Sequence, residues 1–150
     1  MNLEDKNKVK FIYGDTHLGE SSMFGNIYFR TFNTLEEYAE AIIKNWNSTV
    51  NDNDIVLVLG DLGRSRTLID YVFSKLNGHK WLIKGNHDVF ANDFYEKYFE
   101  RIYLGPVAIR SRIIASHEPC PVEPGMLNLH GHTHGMKLKS EQHINLCPEW

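Results

Sequence analysis

The sequence predicts a layered α/β fold, with parallel strands first and a mixed or antiparallel part later. Short apolar runs alternate with helical patterns in the first half of the chain, and apolar runs dominate the second half. The runs are rich in β-branched and aromatic residues, as buried strands are. Several end at a glycine or serine next to Asp, Asn or His. Since α/β folds bind ligands at the carboxyl ends of their strands, these polar side chains are expected to meet on one rim.

Strand and helix alternate in the first half. Residues 9–13 (VKFIY) form the first predicted strand and residues 54–59 (DIVLVL) the second. The helix between them begins at Thr34, which is expected to accept a hydrogen bond from the backbone N–H of Glu37 while Glu37 reaches back, as in a capping box. It should end near Ser48. Its apolar face repeats at helical spacing through Leu35, Tyr38, Ala39, Ile42, Ile43 and Trp46.

The pattern changes after the second helix. That helix is predicted from residue 65 or 66 to residue 77, with Gly78 as its C-terminal cap. Strand 80–84 and a short aromatic helix over residues 92–98 follow. The later strands are predicted at residues 107–109, 112–115, 126–129, 136–139 and 143–147. The first two of these would form a hairpin, and the last two a closing pair.

Length and composition favour one domain over residues 1–150, because 150 residues is close to the commonest domain size. The net charge of −3 leaves no general basic footprint for nucleic acid. The apolar runs are too short to cross a bilayer, and the start of the chain does not resemble a signal peptide. We therefore expect a cytoplasmic protein with no membrane partner. Cys120 and Cys147 are expected to be reduced thiols.

Five motifs supply metal-binding side chains: residues 14–17 (GDTH), 60–61 (GD), 85–88 (GNHD), 116–117 (SH) and 131–134 (GHTH). Their oxygen and nitrogen donors are Asp15, His17, Asp61, Asn86, His117, His132 and His134. Residues two apart in an extended chain point the same way, so each Asp-x-His or His-x-His pair is suited to one ion. Nitrogen and oxygen donors without thiolate suit manganese, iron, zinc, cobalt or nickel. Enough donors for two neighbouring metals indicate hydrolysis of a phosphate ester.

The ordered motifs resemble the signature of the calcineurin-like metallophosphoesterase superfamily: Asp-x-His, Gly-Asp, Gly-Asn-His-Asp/Glu, His and Gly-His-x-His. The likeness runs from Asp15 to His134. The segments Asn45-Trp46-Asn47 and Asn77-Gly78 are similar to the small single-domain bacterial and phage members. The resemblance implies a four-layer α/β/β/α sandwich of two mixed sheets flanked by helices.

The resemblance also implies roles for the motif residues. One metal would be held by Asp15, His17, Asp61 and His134, and the other by Asp61, Asn86, His117 and His132, with Asp61 bridging. His87 would lie above the metals and serve the leaving-group oxygen. Asp88 is expected to orient His87 or its loop, or to cap the next helix.

The expected cofactors are two divalent transition metals, manganese first, with iron, zinc, nickel or cobalt compatible. Cations roughly 3.5–4 Å apart lower the pKa of a bridging water and supply hydroxide for in-line attack on phosphorus. The leaving alkoxide needs a proton, and His87 is the natural donor because imidazole is the side chain best suited to proton transfer near neutral pH. A metallophosphoesterase acting on a phosphodiester or a small phosphorylated molecule is therefore expected.

Two positions depart from the wider family. The chain continues Gly60-Asp61 without the Asp-Arg-Gly element of the phosphoprotein phosphatases, which disfavours a protein phosphatase. Arg64 or Arg66 is a candidate phosphate contact, or an exposed charge at a helix start. Glu20 stands where small relatives often carry histidine, and a carboxylate there would repel phosphate or alter leaving-group interactions. Residues 20–33 are therefore the candidate for substrate selection, with stacking surfaces or core packing from Phe24, Tyr28 and Phe29.

Two other functions stay open. A nuclease or cyclic-nucleotide phosphodiesterase would use the same metals, but nuclease activity is disfavoured because Lys and Arg form no clear cluster. A non-catalytic, protein-binding scaffold on the same fold is also conceivable. It ranks low because His87 and every expected ligand are present.

Overall fold

The computed structural model describes residues 8–23 and 32–148. The strands are β1 (Val9–Tyr13), β2 (Ile55–Val58), β3 (His79–Ile83), β4 (Arg101–Tyr103), β5 (Val107–Arg110), β6 (Ile113–Ser116), β7 (Leu127–His130) and β8 (His143–Asn145). The α-helices are α1 (Leu35–Thr49), α2 (Arg66–Phe73) and α3 (Asn92–Tyr95), and Ser21–Met23 form a 3₁₀ turn. Among these residues, none of the helices has the length and apolar character needed to cross a membrane.

The strands form two four-stranded sheets, in the orders β1-β2-β3-β4 and β5-β6-β7-β8. Every pair in the first sheet is parallel, and α1, α2 and α3 are its crossovers. In the second sheet β5 and β6 form the predicted antiparallel hairpin, whereas β7 and β8 add in parallel. The predicted α/β class, with two sheets and flanking helices, is confirmed. The first sheet is parallel throughout its described length, and only the second is mixed.

Side chains of β2 connect the layers. Val56 and Val58 pack among the helices, while Leu57 and the following Leu59 pack between the two sheets. Burial on both faces is typical of a parallel strand and explains the uninterrupted apolar run. All three α-helices contribute to the helix-side core. No α-helix lies between β5 and β8 in the described part of the chain. The described residues as a whole therefore form the layers α/β/β.

Leu57→Ala is expected to lower the free energy of unfolding by about 2–5 kcal/mol, because it leaves a cavity between the sheets. The side chain of Leu57 is fully buried. Chemical denaturation followed by circular dichroism measures the change. Leu104→Ala is the matched control, since Leu104 is 79% exposed and little stability should depend on it. Equal stabilities for the two variants would contradict the assigned inter-sheet core.

α1 supports the loop that follows β1. Thr34 caps the helix by accepting from the backbone N–H of Glu37 at 3.1 Å, as predicted. Glu37 reaches back further than a capping box requires, because its carboxylate accepts from the backbone N–H of Asn33 at 3.0 Å. From the helix, the hydroxyl of Tyr38 donates to the carbonyl of Thr16 at 2.9 Å. The helix thereby holds one of the metal-motif loops.

α2 begins at Arg66 as predicted, but it ends at Phe73 rather than residue 77. The backbone after it is bonded to α1 instead of continuing the helix. The indole N–H of Trp46 donates to the carbonyl of Asn77 at 2.9 Å, and Asn47 donates to the carbonyl of Lys75 at 2.8 Å. Gly78 then takes a left-handed conformation, with a φ of 83°.

The structure differs from the sequence predictions in three further places. The closing pair of strands is wrong in its first member, since residues 136–139 form no strand and are exposed. The side chain of Asn145 instead donates to the carbonyl of His134 at 2.6 Å, which holds this segment as a loop. β4 was not predicted, because three residues starting with Arg carry a weak strand signal. The aromatic helix α3 is shorter than residues 92–98.

Candidate metal centre

The candidate ligands lie on loops at the carboxyl ends of β1, β2, β3, β6 and β7, as predicted. Backbone hydrogen bonds draw these loops together. The N–H of His17 donates to the carbonyl of Asp61 at 2.9 Å. The N–H of His132 donates to Oδ1 of Asp15 at 2.9 Å, and the N–H of His87 donates to Oδ1 of Asp61 at 2.8 Å. The two sheets therefore meet at one site.

Asp15, His17 and His134 form the first cluster, with their ligand atoms within 4.8 Å of one another. Burial lowers the pKa of His17 to about 4, so its imidazole is neutral at pH 7. Nδ1 of His17 lies 3.2 Å from Oε1 of Glu20, an oxygen that only accepts, so the single ring proton sits on Nδ1. Nε2 of His17 is buried and has no hydrogen-bond partner in the described residues. It presents a lone pair to the site.

Asp61, His117 and His132 form the second cluster, again with ligand atoms within 4.8 Å. Nδ1 of His117 donates to the carbonyl of Leu59 at 2.8 Å, which leaves Nε2 as the ring nitrogen available to bind a metal. Oδ1 of Asn86 lies 2.9 Å from that nitrogen and 3.0 Å from Nδ1 of His132. The structure thus brings Asn86 to the cluster that the resemblance assigns to it.

Oδ2 of Asp61 lies between the clusters. It is 3.5 Å from Nε2 of His17 and 3.4 Å from Nε2 of His117. A carboxylate oxygen facing two imidazole lone pairs is unfavourable unless cations neutralise the contact. The donors are oxygen and nitrogen without thiolate, which suits first-row divalent metals. The residues therefore fit the two metals that the resemblance implies, with Asp61 as the residue common to both.

The backbone of the ligand loops is strained. Five non-glycine residues in the described ranges have positive φ, between 47° and 65°, and all are candidate ligands: Asp15, His17, Asp61, His132 and His134. Such conformations cost of order 1–3 kcal/mol each and concentrate at functional sites. The prediction that the Asp-x-His and His-x-His pairs lie in extended backbone is therefore wrong. The left-handed turns, rather than strand alternation, aim these side chains at one point.

Glycines leave room for the carboxylates. A Cβ at Gly131 would lie 2.0 Å from Oδ2 of Asp15. A Cβ at Gly85 would lie 2.2 Å from Oδ1 of Asp61, 2.7 Å from its backbone nitrogen and 2.8 Å from Cε1 of His117. The glycines that precede Asn86 and His132 in the motifs therefore serve the site by their lack of a side chain.

Gly85→Ala is expected to weaken Mn²⁺ binding by at least about 10–100-fold, the range found when the support of metal ligands is disturbed. The added methyl group must displace Asp61 or His117. Calorimetric titration of the metal-free protein with Mn²⁺ measures the change. Gly105→Ala is the control, because no atom lies within 4 Å of a Cβ there. Equal Mn²⁺ affinity in the two variants would argue against this packing.

Asp88 positions the loops that carry Asp61 and Asn86. Its carboxylate accepts from the backbone N–H groups of Asp61 at 2.8 Å, Leu62 at 2.9 Å and Gly85 at 2.8 Å. Burial raises the pKa of Asp88 to about 6, although these hydrogen bonds favour the charged form. The helix-capping alternative is wrong, since the N-cap of α3 is Ala91 with no side-chain cap. Asp88 thus orients loops, and its carboxylate bonds backbone rather than the His87 ring.

The substrate-contact candidates lie in different settings. Arg64 is exposed, while Arg66 lies over the rings of Phe90 and Phe94, at 4.6 and 5.1 Å from their centroids. Glu20 is hydrogen-bonded to His17 and to Nδ1 of His87, the latter at 2.9 Å. Burial raises the pKa of Glu20, but these hydrogen bonds outweigh it, so the pKa is lowered overall. The candidate stacking residues Phe24, Tyr28 and Phe29 lie outside the described residues.

Two groups beside the candidate ligands were not predicted from the sequence. The carbonyl of Leu59 sets the tautomer of His117, and a backbone atom leaves no signal in the sequence. The thiol of Cys147 lies 3.5 Å from Oδ2 of Asp15 and is buried. Its place just after the final strand was the available signal. His130 is buried, is hydrogen-bonded to the carbonyl of Gly131 and belongs to neither cluster.

Comparisons with known proteins find similar chains from other organisms. A curated relative from Methanocaldococcus jannaschii, Uncharacterized protein MJ1445, is 36% identical over 91 residues, which cover 56% of this chain and 49% of that protein. The match thus spans about half the length of that relative. The crystal structure of AQ665 from Aquifex aeolicus, a protein of unknown function, has a TM-score of 0.74. The alignment of the two structures covers 93% of this chain and 89% of the AQ665 chain at 22% sequence identity. Such a likeness supports the fold alone.

A family model described as calcineurin-like phosphoesterase matches residues 11–144. The match includes every candidate ligand, the strands β2, β3, β6 and β7, and most of β1. The chain therefore belongs to the calcineurin-like phosphoesterase family.

Proposed function

We propose that the protein is a metal-dependent phosphoester hydrolase that uses two divalent transition metals, with manganese the first choice. The observation that carries this proposal is the position of Oδ2 of Asp61, 3.5 and 3.4 Å from the lone-pair nitrogens of His17 and His117. When bound, two cations supply an activated water and neutralise charge on the phosphoryl group. Asp15 and His134 would complete the first metal site, and Asn86 and His132 the second.

The chain's own residues divide the remaining work. His87 is held with its backbone N–H on Oδ1 of Asp61, and its side chain is 26% exposed. It is therefore accessible to a substrate bound beside the metals and is suited to donate a proton to the leaving-group oxygen. Asp88 fixes the loops on either side. Arg64, exposed and anchored through its backbone N–H to the carbonyl of Leu18 at 3.1 Å, is the proposed phosphate contact.

The proposed substrate is a phosphodiester or a small phosphorylated molecule. The pocket beside Asn86 and His117 supports a compact substrate, since its volume is about 440 Å³. It is lined in part by Leu104, Pro106 and Pro119, which suit an apolar or aromatic group next to phosphate. That volume falls within the range usual for small-molecule sites.

Hydrolysis assays test the proposal directly. The metal-stripped protein is reloaded with Mn²⁺ and given bis-p-nitrophenyl phosphate beside p-nitrophenyl phosphate. We expect turnover of at least one ester that a chelator abolishes and Mn²⁺ restores. Faster diester turnover would direct the substrate search to phosphodiesters, and faster monoester turnover to phosphatase substrates. Absence of turnover with metal bound would overturn the proposal and favour a protein-binding scaffold.

A further inference from the structure

One carboxylate oxygen connects two histidines of the candidate site. Oε1 of Glu20 lies 2.9 Å from Nδ1 of His87 and 3.2 Å from Nδ1 of His17. The side chain of Glu20 is 11% exposed, so water competes little for these contacts. A carboxylate only accepts hydrogen bonds, and both rings therefore donate to it from Nδ1.

Hydrogen bonds restrain both the backbone and the ring of His87. Its backbone N–H is bonded to Oδ1 of Asp61, and its ring nitrogen Nδ1 is bonded to Glu20. The ring stands edge-on to that of His17, with a centroid distance of 4.7 Å and an interplanar angle of 82°. With Nδ1 occupied by Glu20, Nε2 is the ring nitrogen left to meet a substrate.

We propose that Glu20 is a positioning residue that holds the His87 ring by its Nδ1–H, so that Nε2 faces the leaving-group oxygen and can protonate it. This inference rests on the proposed function and adds a task within the same site. In the supported step, the imidazolium form of His87, protonated on both nitrogens, gives its Nε2 proton to the leaving oxygen as the bond from that oxygen to phosphorus breaks. The new bond to phosphorus comes from water, whose proton passes to solvent. The ring keeps the Nδ1 proton that it shares with Glu20, and Nε2 takes up a proton from solvent before the next turnover.

Two other roles for Glu20 make different predictions. If its charge repelled substrate, its removal would raise turnover of dianionic monoesters more than that of monoanionic diesters. If it acted only by orienting His17, its removal would weaken metal binding and affect every substrate alike, as loss of a partner behind a metal ligand does. A positioning role through His87 affects only substrates whose leaving group needs a proton.

The kinetic test compares two diesters of equal charge at saturating Mn²⁺. Bis-p-nitrophenyl phosphate releases a weakly basic phenolate, whereas diphenyl phosphate releases a more basic one. Glu20→Gln is expected to lower kcat for diphenyl phosphate by about 10-fold or more, a part of the usual contribution of general acid catalysis. It should change kcat for the nitrophenyl diester by less than about 3-fold and leave KM unchanged, because that leaving group needs little protonation.

Controls separate this role from a general loss of structure. Glu20→Asp should recover part of the lost kcat, since it restores the charge. Glu96→Gln, at an exposed position after α3, should behave as the unaltered chain. In a His87→Ala background, Glu20→Gln should change kcat by no more than about 2-fold, because residues that act through one another are not additive.

Nuclear magnetic resonance supplies a readout independent of activity. In the metal-free protein, nitrogen–proton correlations of the imidazole should place the His87 proton on Nδ1, and Glu20→Gln should shift the tautomer towards Nε2. An unchanged tautomer would overturn the proposal, as would equal kcat losses for both diesters or a selective gain for monoesters. If the unaltered chain hydrolysed nothing, the proposed function would fail. The His87 tautomer measured by nuclear magnetic resonance would still test whether Glu20 bonds the His87 ring.

Discussion

Asp61→Asn is expected to reduce kcat/KM by about 1,000-fold or more, since metal ions supply several kcal/mol of transition-state stabilisation. The substitution keeps the shape of the side chain but removes its negative charge. Oδ2 of Asp61 is the atom that faces both His17 and His117. Loss of its charge should therefore affect both metals at once. Metal analysis after dialysis should find fewer than two Mn²⁺ per chain.

The matched control is Asp52→Asn, in an exposed turn before β2. It makes the same change in net charge, so a general electrostatic effect would appear in both variants. Full turnover and two bound Mn²⁺ in Asp61→Asn would contradict a shared ligand at this position. Loss of only one metal would leave Asp61 as a ligand of a single ion.

His87→Ala is expected to keep both metals and lose about 100- to 10,000-fold in kcat with a basic leaving group, the usual contribution of a general acid. The ring of His87 lies beside His17 but is not assigned as a ligand, so metal content should not change. Diphenyl phosphate turnover and bound Mn²⁺ are measured on the same sample. The loss should be smaller for bis-p-nitrophenyl phosphate.

His79→Ala provides the comparison for His87→Ala. His79 is exposed at the start of β3 and is hydrogen-bonded to Glu100. Its removal should leave both metal content and turnover unchanged. Unimpaired hydrolysis of diphenyl phosphate by His87→Ala would refute the leaving-group role, and with it the role proposed for Glu20.

The strands that carry the site were predictable because their signal is local. Residues 9–13, 54–59 and 80–84 carry β-branched or aromatic side chains and are each followed by a glycine, and each range contains a strand of the parallel sheet or overlaps it closely. The helix starts at Thr34 and Ser65 were also local, since each cap bonds a backbone N–H three residues on. Short-range hydrogen bonds and side-chain alternation can be read from neighbouring residues.

Segments whose backbone bonds to distant residues were predicted less well. Residues 74–77 follow a helical pattern, but side chains of Trp46 and Asn47 take their backbone groups, so the helix ends early. Residues 136–139 alternate like a strand, yet Asn145 holds the neighbouring carbonyl of His134 and the segment stays a loop. In both cases the competing partner lies elsewhere in the chain.

The sequence by itself determined which residue types reach the site: the seven candidate donors follow strands, and the structure brings them to one rim. Only the tertiary structure decided what each atom does. Oδ1 of Asp61 is occupied by the N–H of His87, which leaves Oδ2 facing His17 and His117. Glu20 is bonded to two histidines rather than open to substrate. The physical reason is that donor type and strand position are local properties of the sequence. Which atom of a side chain remains available depends instead on the distant groups that bond its other atoms.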